Sequence, residues 1–508
     1  MNQVSIDGES LTLQDVFNVS HLGFHVNIDP LAEKRMQQSR DSIEDIIRQG
    51  RSVYGVNTGF GKLSNVHIPP QDLEELQLNL VLSHACGTGD FIPAPIVRAA
   101  LLLKANALCK GYSGSRPLIA QYLVEFLNRN LVPAIPKKGS VGASGDLAPL
   151  AHMTLVLLGL GEAYVNEQLM SGAAALQAVQ LHAIELKAKE GLALLNGTQI
   201  MTAFAFEALY RAKNLIKLAD ISGAVTVESL LGTKVAFDER IQKARGFADQ
   251  IRVAENLRRM MDESEIVDSH KDCGKIQDAY SSRCIPQVHA AVRQAIRYVD
   301  EVVNVELNAS TDNPLVFFEE NDVLSGGNFH GQPISLACDT LAIAIAQLAN
   351  ISERRLENLM DANQSGLPPF LATHSGKNSG LMIAQVTAAA LVSENKVLCH
   401  PASVDSIPTS ANQEDFVSMG THAARKALEV VENAETIIGI ELLAGCQAID
   451  FRENLKPGKG TYPAHSLIRQ HIPTMDKDRL LQSDIETIKQ LVKSNSIVSK
   501  VEAAVGPL

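Results

Sequence analysis

The 508-residue sequence predicts a mainly α-helical protein, an elongated multi-helix bundle with small β-hairpins and loop-rich ends. Long apolar segments recur with helical spacing in the second half of the chain, whereas segments with strand-like alternation are few and short. No internal repeat, low-complexity tract or linker interrupts the pattern. We therefore expect one continuous unit with a soft boundary. Residues 1–200 would form a globular N-terminal part, and residues 201–508 a long central bundle with C-terminal helices.

The first clear helix is expected from Asp29 to Gly50. Asp29 can cap the helix N-terminus, Pro30 suits the first helical position, and Gly50 favours the end of the helix. Residues 52–64 are expected to form a short β-like piece that runs into a Gly-rich loop. The other elements expected in the first half are helices around 73–83 and 95–110, and a hairpin at 161–172.

In the second half, residues 314–327 predict another hairpin that turns at Asn321-Asp322. The segment from Leu341 to Asp361 is apolar nearly all round in its first half, which favours burial inside a bundle. Residues 421–450 predict a helix of about 45 Å at 1.5 Å per residue. A last helix is expected at Ser483, which has capping-box spacing to Glu486.

Composition restricts the class of protein. Hydrophobic residues make up 45% and charged residues 20%, and the net charge is −12, which disfavours nucleic-acid or anionic-membrane partners. The most apolar run, residues 147–161, is too short for a membrane span, which needs about 20 residues. No signal peptide is visible, so a cytoplasmic location is expected. Seven cysteines without a CxxC pair predict reduced thiols.

The segment "KKGSVGASGDLAPLAH" at residues 137–152 surrounds Ser144 with small residues. The nucleophile-elbow pattern G-x-S-x-G fails, because Asp146 stands where the second glycine is required. Two interpretations stay open from these residues. The segment is either a flexible turn, or the Gly145 nitrogen attacks the Ala143 carbonyl. In the second case, loss of two waters leaves a five-membered ring carrying an alkene from Ser144, which is an electrophile.

Metal and phosphate sites are weakly indicated. His21 and His25 are four residues apart, but Gly23 lies between them and no third ligand is near, so no metal site is expected. "GVNTGFG" and "GGNFHG" match neither a P-loop nor a dinucleotide fingerprint. They are either tight turns or places where the backbone approaches a small ligand.

Seven motifs occur in order along the chain: "YGVNTGFG", "GSVGASGDLAPLAH", "LLNGTQ", "YSSRCIPQV", "STDNPLVF", "SGGNFHG" and "TSANQED". Together they resemble the aromatic amino-acid ammonia-lyases, and most closely the members that act on histidine. The resemblance implies a bundle of the ammonia-lyase/fumarase-like type and a homotetramer whose active sites combine loops of several subunits. It also implies that Ala143, Ser144 and Gly145 form a 4-methylideneimidazol-5-one (MIO) group, with no external cofactor.

The resemblance also implies roles for individual residues. Tyr54 is the candidate base for the substrate β-proton, although a free tyrosine has a pKa near 10 and would need activation. Arg283 is the candidate clamp for the substrate carboxylate, because guanidinium binds carboxylate through two parallel hydrogen bonds. Asp146 is expected to assist cyclisation and dehydration. Positions around the ring and the substrate are implied for Asn196, Gln277, Tyr280 and Phe329. Asn196 would hold either the oxygen of the MIO ring or the substrate amine, and Phe329 would supply an apolar wall.

Three positions bear on the substrate. His84 and Glu414 can each bond a nitrogen of an imidazole ring, which would otherwise be buried unpaired. Met382 also agrees with enzymes that act on histidine. The expected reaction is therefore elimination of ammonia from L-histidine to give trans-urocanate, the first step of histidine degradation. Phe416 departs from the "QEDH" expected in many bacterial relatives, which bears on fine tuning of the substrate.

Alternatives to this reaction remain. A tyrosine ammonia-lyase or tyrosine 2,3-aminomutase could use the same scaffold, since His84 also suits a phenol. Glu414 could replace Tyr54 as the catalytic base. A catalytically dead helical scaffold would be expected to lack the Ala-Ser-Gly triplet, Tyr54 or Arg283, and all are present.

Overall fold

The computed structural model describes residues 2–271, 273–274, 276–452 and 455–508. The chain divides into two compact units. Unit 1 comprises Met1–Glu207, Asp300–Asp339 and Pro401–Arg425, and unit 2 comprises Ala208–Val299, Thr340–His400 and Lys426–Leu508. The two units are interleaved along the sequence.

The fold is mainly helical, as predicted. The elements of the first half are β1 Gln3–Ile6, α1 Leu13–Ser20, β2 His25–Ile28, α2 Pro30–Arg48, α3 Leu73–His84, β3 Thr88–Phe91, α4 Ala94–Cys109, α5 Pro117–Asn128, β4 Leu131–Pro133, β5 Pro136–Lys138, α6 Leu147–Leu157, β6 Glu162–Val165, β7 Gln168–Ser171, α7 Gly172–Ala178, α8 Glu190–Leu195 and α9 Gln199–Ser229.

The second half contains most of the remaining long helices. Its elements are α10 Glu239–Arg245, α11 Ala248–Met260, α12 Glu265–Asp268, α13 Tyr280–Arg283, α14 Ile285–Glu306, β8 Leu315–Phe317, β9 Asp322–Leu324, α15 Gln332–Met360, α16 Ala362–Ser365, α17 Met382–Leu398, α18 Gly420–Asp450, α19 Thr461–His471, α20 Leu481–Lys493 and α21 Ser496–Val505. Short 3₁₀ turns lie at Gly61–Leu63, Pro70–Asp72, Val235–Phe237, Pro369–Leu371 and Ser410–Asn412.

Helix α2 begins as its sequence predicts. The Asp29 side chain accepts a hydrogen bond from the Leu31 amide at 2.8 Å, Pro30 occupies the first turn, and Gly50 has a φ of +66°. Helices α3 and α4 also lie where they are expected. The β-like piece at 52–64 is wrong: it forms turns, with one bridge between Thr58 and His67. Glycines with positive φ interrupt any extended run there, which is why no strand forms.

The small sheets lie at the edges of the helical parts. Strands β1 and β2 pair in parallel, β4, β6 and β7 form an antiparallel sheet, and β3 pairs with β5. The predicted hairpin at 161–172 is β6–β7. The second predicted hairpin is β8–β9, in which Asp322 pairs with Phe317, so the turn ends at Asn321 and not beyond it.

The long apolar helices form the core, as expected. Helix α15 begins nine residues earlier than Leu341, and its apolar face, including Ile345 and Leu348, is fully buried. Helix α18 covers the predicted segment, and Gly445 allows close packing, because a Cβ there would lie 2.7 Å from Val225 Cγ1. The capping box at Ser483 is wrong: α20 starts at Leu481, and the Ser483 hydroxyl donates to the Leu480 carbonyl.

One helix among the described residues, Gln332–Met360, is long and apolar enough to cross a membrane by length and composition. Of its most apolar 18-residue stretch, 67% is buried inside the protein. The core helix of a globular protein has the same properties. The described residues contain no disulfide: Cys109, Cys338 and Cys446 are buried, whereas Cys86 and Cys273 are exposed.

Candidate active site

Unit 1 contains a cavity of about 1280 Å³. This volume is large enough for a small-molecule ligand. Loops 54–68 and 410–416, helix α3, the tripeptide loop and the segment before α15 supply its walls. The predicted site residues that line the cavity are Tyr54, His84, Ala143, Ser144, Asn196, Phe329 and Glu414.

The tripeptide loop is held against the segment that follows α8. The Asp146 amide donates to the Gly197 carbonyl at 2.7 Å, and the Gly197 amide donates to the Ser144 carbonyl at 3.3 Å. Gly145 has a φ of +75°, and a Cβ on it would lie 2.0 Å from the Gly197 oxygen. Only glycine therefore fits at position 145.

Ring closure must join two backbone groups, the Gly145 amide nitrogen and the Ala143 carbonyl carbon. Among the described residues, neither the Gly145 amide nor the Ala143 carbonyl has a hydrogen-bond partner. Their neighbours are bound: the Ser418 hydroxyl donates to the Gly142 carbonyl at 3.0 Å, and the Ser140 hydroxyl donates to the Gly145 carbonyl at 3.3 Å. The residues present therefore fit the MIO group that the motifs imply.

Asp146 is fully buried next to the tripeptide. Its Oδ1 accepts hydrogen bonds from the Thr421 hydroxyl at 2.5 Å and the Ser140 hydroxyl at 3.2 Å, and its Oδ2 accepts one from the Met201 amide at 2.9 Å. Burial raises the pKa of Asp146 to about 6, although these hydrogen bonds oppose the rise. A carboxyl group with such a pKa can both take up and release a proton near neutral pH.

Glu414 faces Ser144 across the cavity. The Ser144 hydroxyl donates to Glu414 Oε1 at 3.2 Å, and the Thr409 hydroxyl donates to Oε2 at 2.6 Å. His84 ends helix α3, and its Nδ1 lies 3.0 Å from the Ser83 hydroxyl. Burial lowers the pKa of His84, although the Glu414 charge acts in the opposite direction. Glu414 and His84 therefore offer a carboxylate and an imidazole to a polar ring.

Tyr54 and Asn196 line the same cavity. The Tyr54 hydroxyl accepts a hydrogen bond from the Gly61 amide at 3.3 Å. Asn196 Nδ2 donates to Asp312 Oδ1 at 3.3 Å and to the Asn313 carbonyl at 3.2 Å. Asn196 Oδ1 is buried and has no hydrogen-bond partner among the described residues.

Four predicted site residues belong to unit 2 and are not part of this cavity. The Arg283 guanidinium lies over the Tyr280 ring, 4.5 Å from its centre, and Tyr280 is 73% exposed. Gln277 is also exposed, and Met382 begins α17. Within the described residues, no group of three or more His, Cys, Asp or Glu side chains could hold a metal ion.

The motifs include Asp312, in "STDNPLVF", but not the two buried lysines near the cavity, Lys104 and Lys189. Lys104 is buried in α4, where its ammonium group donates to the Ala193 carbonyl at 2.9 Å and to the Asn196 carbonyl at 2.6 Å. Lys189 pairs with Asp312 at 2.7 Å. A sequence signal exists for Lys104, since it interrupts the apolar run "ALLLKANALC".

Comparisons with known proteins agree with the motifs. A family model described as aromatic amino acid lyase matches residues 11–470. The histidine ammonia-lyase of Caldanaerobacter subterraneus subsp. tengcongensis is 50% identical over 497 residues, covering 98% of each chain. That of Myxococcus xanthus is 50% identical over 502 residues, covering 99% of each chain.

Solved structures give the same result. Histidine ammonia-lyase from Trypanosoma cruzi superposes with a TM-score of 0.92 at 42% identity, covering 99% of this chain and 96% of that chain. Tyrosine aminomutase from Streptomyces globisporus superposes with a TM-score of 0.94 at 34% identity, covering 100% and 99%. The resemblance and the fold class predicted from the sequence are thereby confirmed: the chain belongs to the aromatic amino acid lyase family.

Proposed function

We propose that the protein is an ammonia-lyase that converts L-histidine to trans-urocanate and ammonia, the first step of histidine degradation, in the cytoplasm. One observation carries the substrate assignment: the Glu414 carboxylate faces the Ser144 hydroxyl at 3.2 Å inside a cavity that His84 also lines. An imidazole ring has two nitrogens that must be paired when they are buried. The relatives named histidine ammonia-lyase, at 50% identity over nearly the whole chain, support the same assignment.

We further propose that Ala143, Ser144 and Gly145 form the MIO group autocatalytically. The Gly145 nitrogen bonds to the Ala143 carbonyl carbon, whose oxygen leaves as water with the amide hydrogens of Gly145 and Ser144, and a C=N bond forms to the Ser144 nitrogen. The Ser144 hydroxyl and its Cα hydrogen leave as a second water. The free Gly145 amide and Ala143 carbonyl support this closure, and Asp146 is placed to move the protons. Once formed, the group supplies an electrophile that no ordinary side chain provides.

The remaining roles follow from chemistry at the cavity wall. His84 and Glu414 bind the imidazole nitrogens, and Phe329 supplies an apolar wall. Asn196 Oδ1 accepts a hydrogen bond from the substrate amine, because both protons of its Nδ2 are already donated elsewhere. Tyr54 is the base for the β-proton, with Glu414 as the alternative.

We propose that the enzyme is a homotetramer in which neighbouring subunits complete each site with Gln277, Tyr280, Arg283 and Met382. These residues do not line the cavity of unit 1, and the described residues that line it include no arginine to bind the substrate carboxylate through two parallel hydrogen bonds. Exposed apolar side chains on the long helices also favour association, because such surfaces mark protein–protein interfaces. They include Leu336, Ile343, Ile383, Val386 and Val397.

Intact-mass measurement and an activity assay test the proposal together. The folded protein is expected to be lighter than its sequence by two waters, about 36 Da. It should also produce urocanate from L-histidine, detected by its ultraviolet absorbance. The Ser144→Ala variant should have the full mass of its own sequence, without the loss of water, and should be inactive. A folded wild-type protein with the unmodified mass, or a fully active Ser144→Ala variant, would contradict the proposal.

A tyrosine-specific reaction is the second candidate, because His84 could also bind a phenol and the tyrosine aminomutase of Streptomyces globisporus shares the fold. The same assay with L-tyrosine separates the two. Formation of coumarate or β-tyrosine at a higher kcat/KM than that of urocanate would favour the second candidate.

A further inference from the structure

Three charged side chains are buried behind the cavity, and we call them the rear cluster: Lys104, Lys189 and Asp312. Their exposed fractions are 2%, 0% and 5%. Burying an ion pair costs several kcal/mol per ion unless it is paired and hydrogen-bonded, so a buried pair is weak evidence for stability alone. The rear cluster therefore calls for another explanation, and its contacts lead to Asn196.

Asp312 uses both carboxylate oxygens. Oδ2 accepts a hydrogen bond from Lys189 Nζ at 2.7 Å. Oδ1 accepts hydrogen bonds from Asn196 Nδ2 at 3.3 Å and from the Asn313 amide at 2.7 Å. Each oxygen thus faces only donors.

This arrangement determines which end of the Asn196 amide faces the cavity. Nδ2 has two protons, and both are directed to acceptors, Asp312 Oδ1 and the Asn313 carbonyl. The opposite orientation would place Oδ1 against two acceptors, which is unfavourable. Lys104 holds the same residue by its backbone, through the hydrogen bond to the Asn196 carbonyl. The acceptor Oδ1 is therefore left for a ligand.

We propose that the Lys189–Asp312 ion pair is a positioning element for the substrate amine, because it fixes the Asn196 amide with its acceptor oxygen towards the cavity. The inference rests on the proposed reaction of an amino acid and adds residues that act through Asn196. A neutral or protonated amine can donate to Oδ1. A ligand without an amine gains nothing from it.

Replacing Asp312 with asparagine should disrupt this arrangement. An asparagine at 312 has one side-chain oxygen, and the Lys189 ammonium takes it in preference to a neutral donor. The new NH₂ group then faces Asn196 Nδ2, donor against donor. Rotating the Asn196 amide does not resolve the conflict, because Oδ1 would then face the Asn313 carbonyl, acceptor against acceptor. The acceptor oxygen of Asn196 is therefore no longer fixed towards the amine.

The test compares two ligands in the full-length enzyme. In Asp312→Asn, kcat/KM for L-histidine should fall on the order of 10- to 100-fold, because a hydrogen bond to a charged group is lost. The inhibition constant of 3-(imidazol-4-yl)propionate, which lacks the amine, should stay within about 2-fold, because Asn196 Oδ1 has no donor to accept from on this ligand. Intact mass should show that the tripeptide is still modified. Equal losses for both ligands, or no loss for histidine, would overturn the proposal.

A second pair of variants avoids an unpaired buried charge. Lys189→Met/Asp312→Asn keeps one side-chain oxygen for Asn196 and has no ammonium to compete for it. Its preference for L-histidine over 3-(imidazol-4-yl)propionate, which we call selectivity for the amine, should therefore return. Lys189→Met/Asp312→Leu has no such oxygen, and selectivity should stay lost. Equal selectivity in the two double variants contradicts the proposal even if Asp312→Asn fails to fold.

The matched control is Glu441→Gln, which removes a fully buried carboxylate of unit 2 that pairs with Arg355 at 2.6 Å. It should lower the melting temperature and leave the ratio of the two ligand constants unchanged. A change in this ratio would show that any buried charge loss has the same effect, which contradicts a specific role for Asp312. If the wild-type enzyme does not convert L-histidine, it is the proposed function that fails.

Discussion

The predicted site residues of unit 1 and unit 2 differ in how the chain holds them. In unit 1, Tyr54, Asn196 and Glu414 each have a hydrogen-bond partner within the unit that fixes their direction. In unit 2, Tyr280 is largely exposed, and Arg283 Nε is buried without a partner among the described residues. The residues of unit 1 are therefore held in place by hydrogen bonds within their own unit, whereas Arg283 of unit 2 has a hydrogen-bond donor that no described residue accepts. This difference is what a site completed by another subunit would require.

The strongest test of this comparison combines two inactive variants. Arg283→Met should lower kcat/KM by about a thousandfold, because two charge-assisted hydrogen bonds to the substrate carboxylate are lost. Ser144→Ala should be inactive because no ring forms. If each site takes Ser144 from one subunit and Arg283 from another, mixed oligomers refolded from both variants should recover about a quarter of the wild-type activity.

The recovery has clear controls. Arg240→Met changes an exposed arginine of unit 2 that pairs with Asp238, and it should keep full activity. Mixtures that stay inactive, although they contain both subunits by mass, would place Ser144 and Arg283 of each site in the same chain. That result would break the comparison between the two units.

Two buried aspartates, one in each unit, should respond to pH in opposite directions. Burial raises the pKa of Asp146 to about 6. Burial also acts to raise the pKa of Asp220, but the Arg293 charge and the His289 hydrogen bond outweigh it, and the pKa is lowered. A carboxyl group with a raised pKa in the folded state loses stability as the pH rises. One with a lowered pKa loses stability as the pH falls.

The expected size follows from the shift of Asp146. Between its usual value of 3.8 and about 6, the Asp146 carboxyl should cost about 3 kcal/mol of stability, and above that pH the cost should be constant. Urea midpoints of Asp146→Asn and its parent, both in a Ser144→Ala background, should therefore diverge as the pH rises from 4 to 6. The Asp220→Asn variant should instead lose the most stability relative to its parent at pH values above the usual pKa of an aspartate, where the Asp220 carboxylate of the parent is charged. Parallel pH curves for parent and variant would contradict either assignment.

Local motifs predict some residues of the candidate site, whereas contacts between distant parts of the chain escape them. The tripeptide, Tyr54 and Glu414 lie in loops with fixed residue types, so local motifs locate them. Asn196 finds its orientation through Asp312, which lies 116 residues away in the chain, and no local pattern records that contact. The β-like piece near Tyr54 was wrong for a related reason, because its glycines adopt turns that the strand-like residues between them do not reveal.

The smallest effect is expected at the rim of the cavity, at Phe416. Its ring stacks on His330 with 5.7 Å between ring centres and a 7° angle, and its carbonyl lies 3.1 Å from His330 Nε2. The ring is exposed and lies only two residues from Glu414, so it tests how far the polar part of the cavity extends.

In Phe416→His an imidazole can keep the stack and the backbone contact. KM for L-histidine should therefore change by only about 2- to 3-fold, with kcat unchanged, because a stacked ring pair contributes about 0.5–1.5 kcal/mol beyond its area. A change of kcat above tenfold would mean that position 416 reaches the reacting atoms, and the preorganised half of the site would then extend beyond Glu414 to the rim.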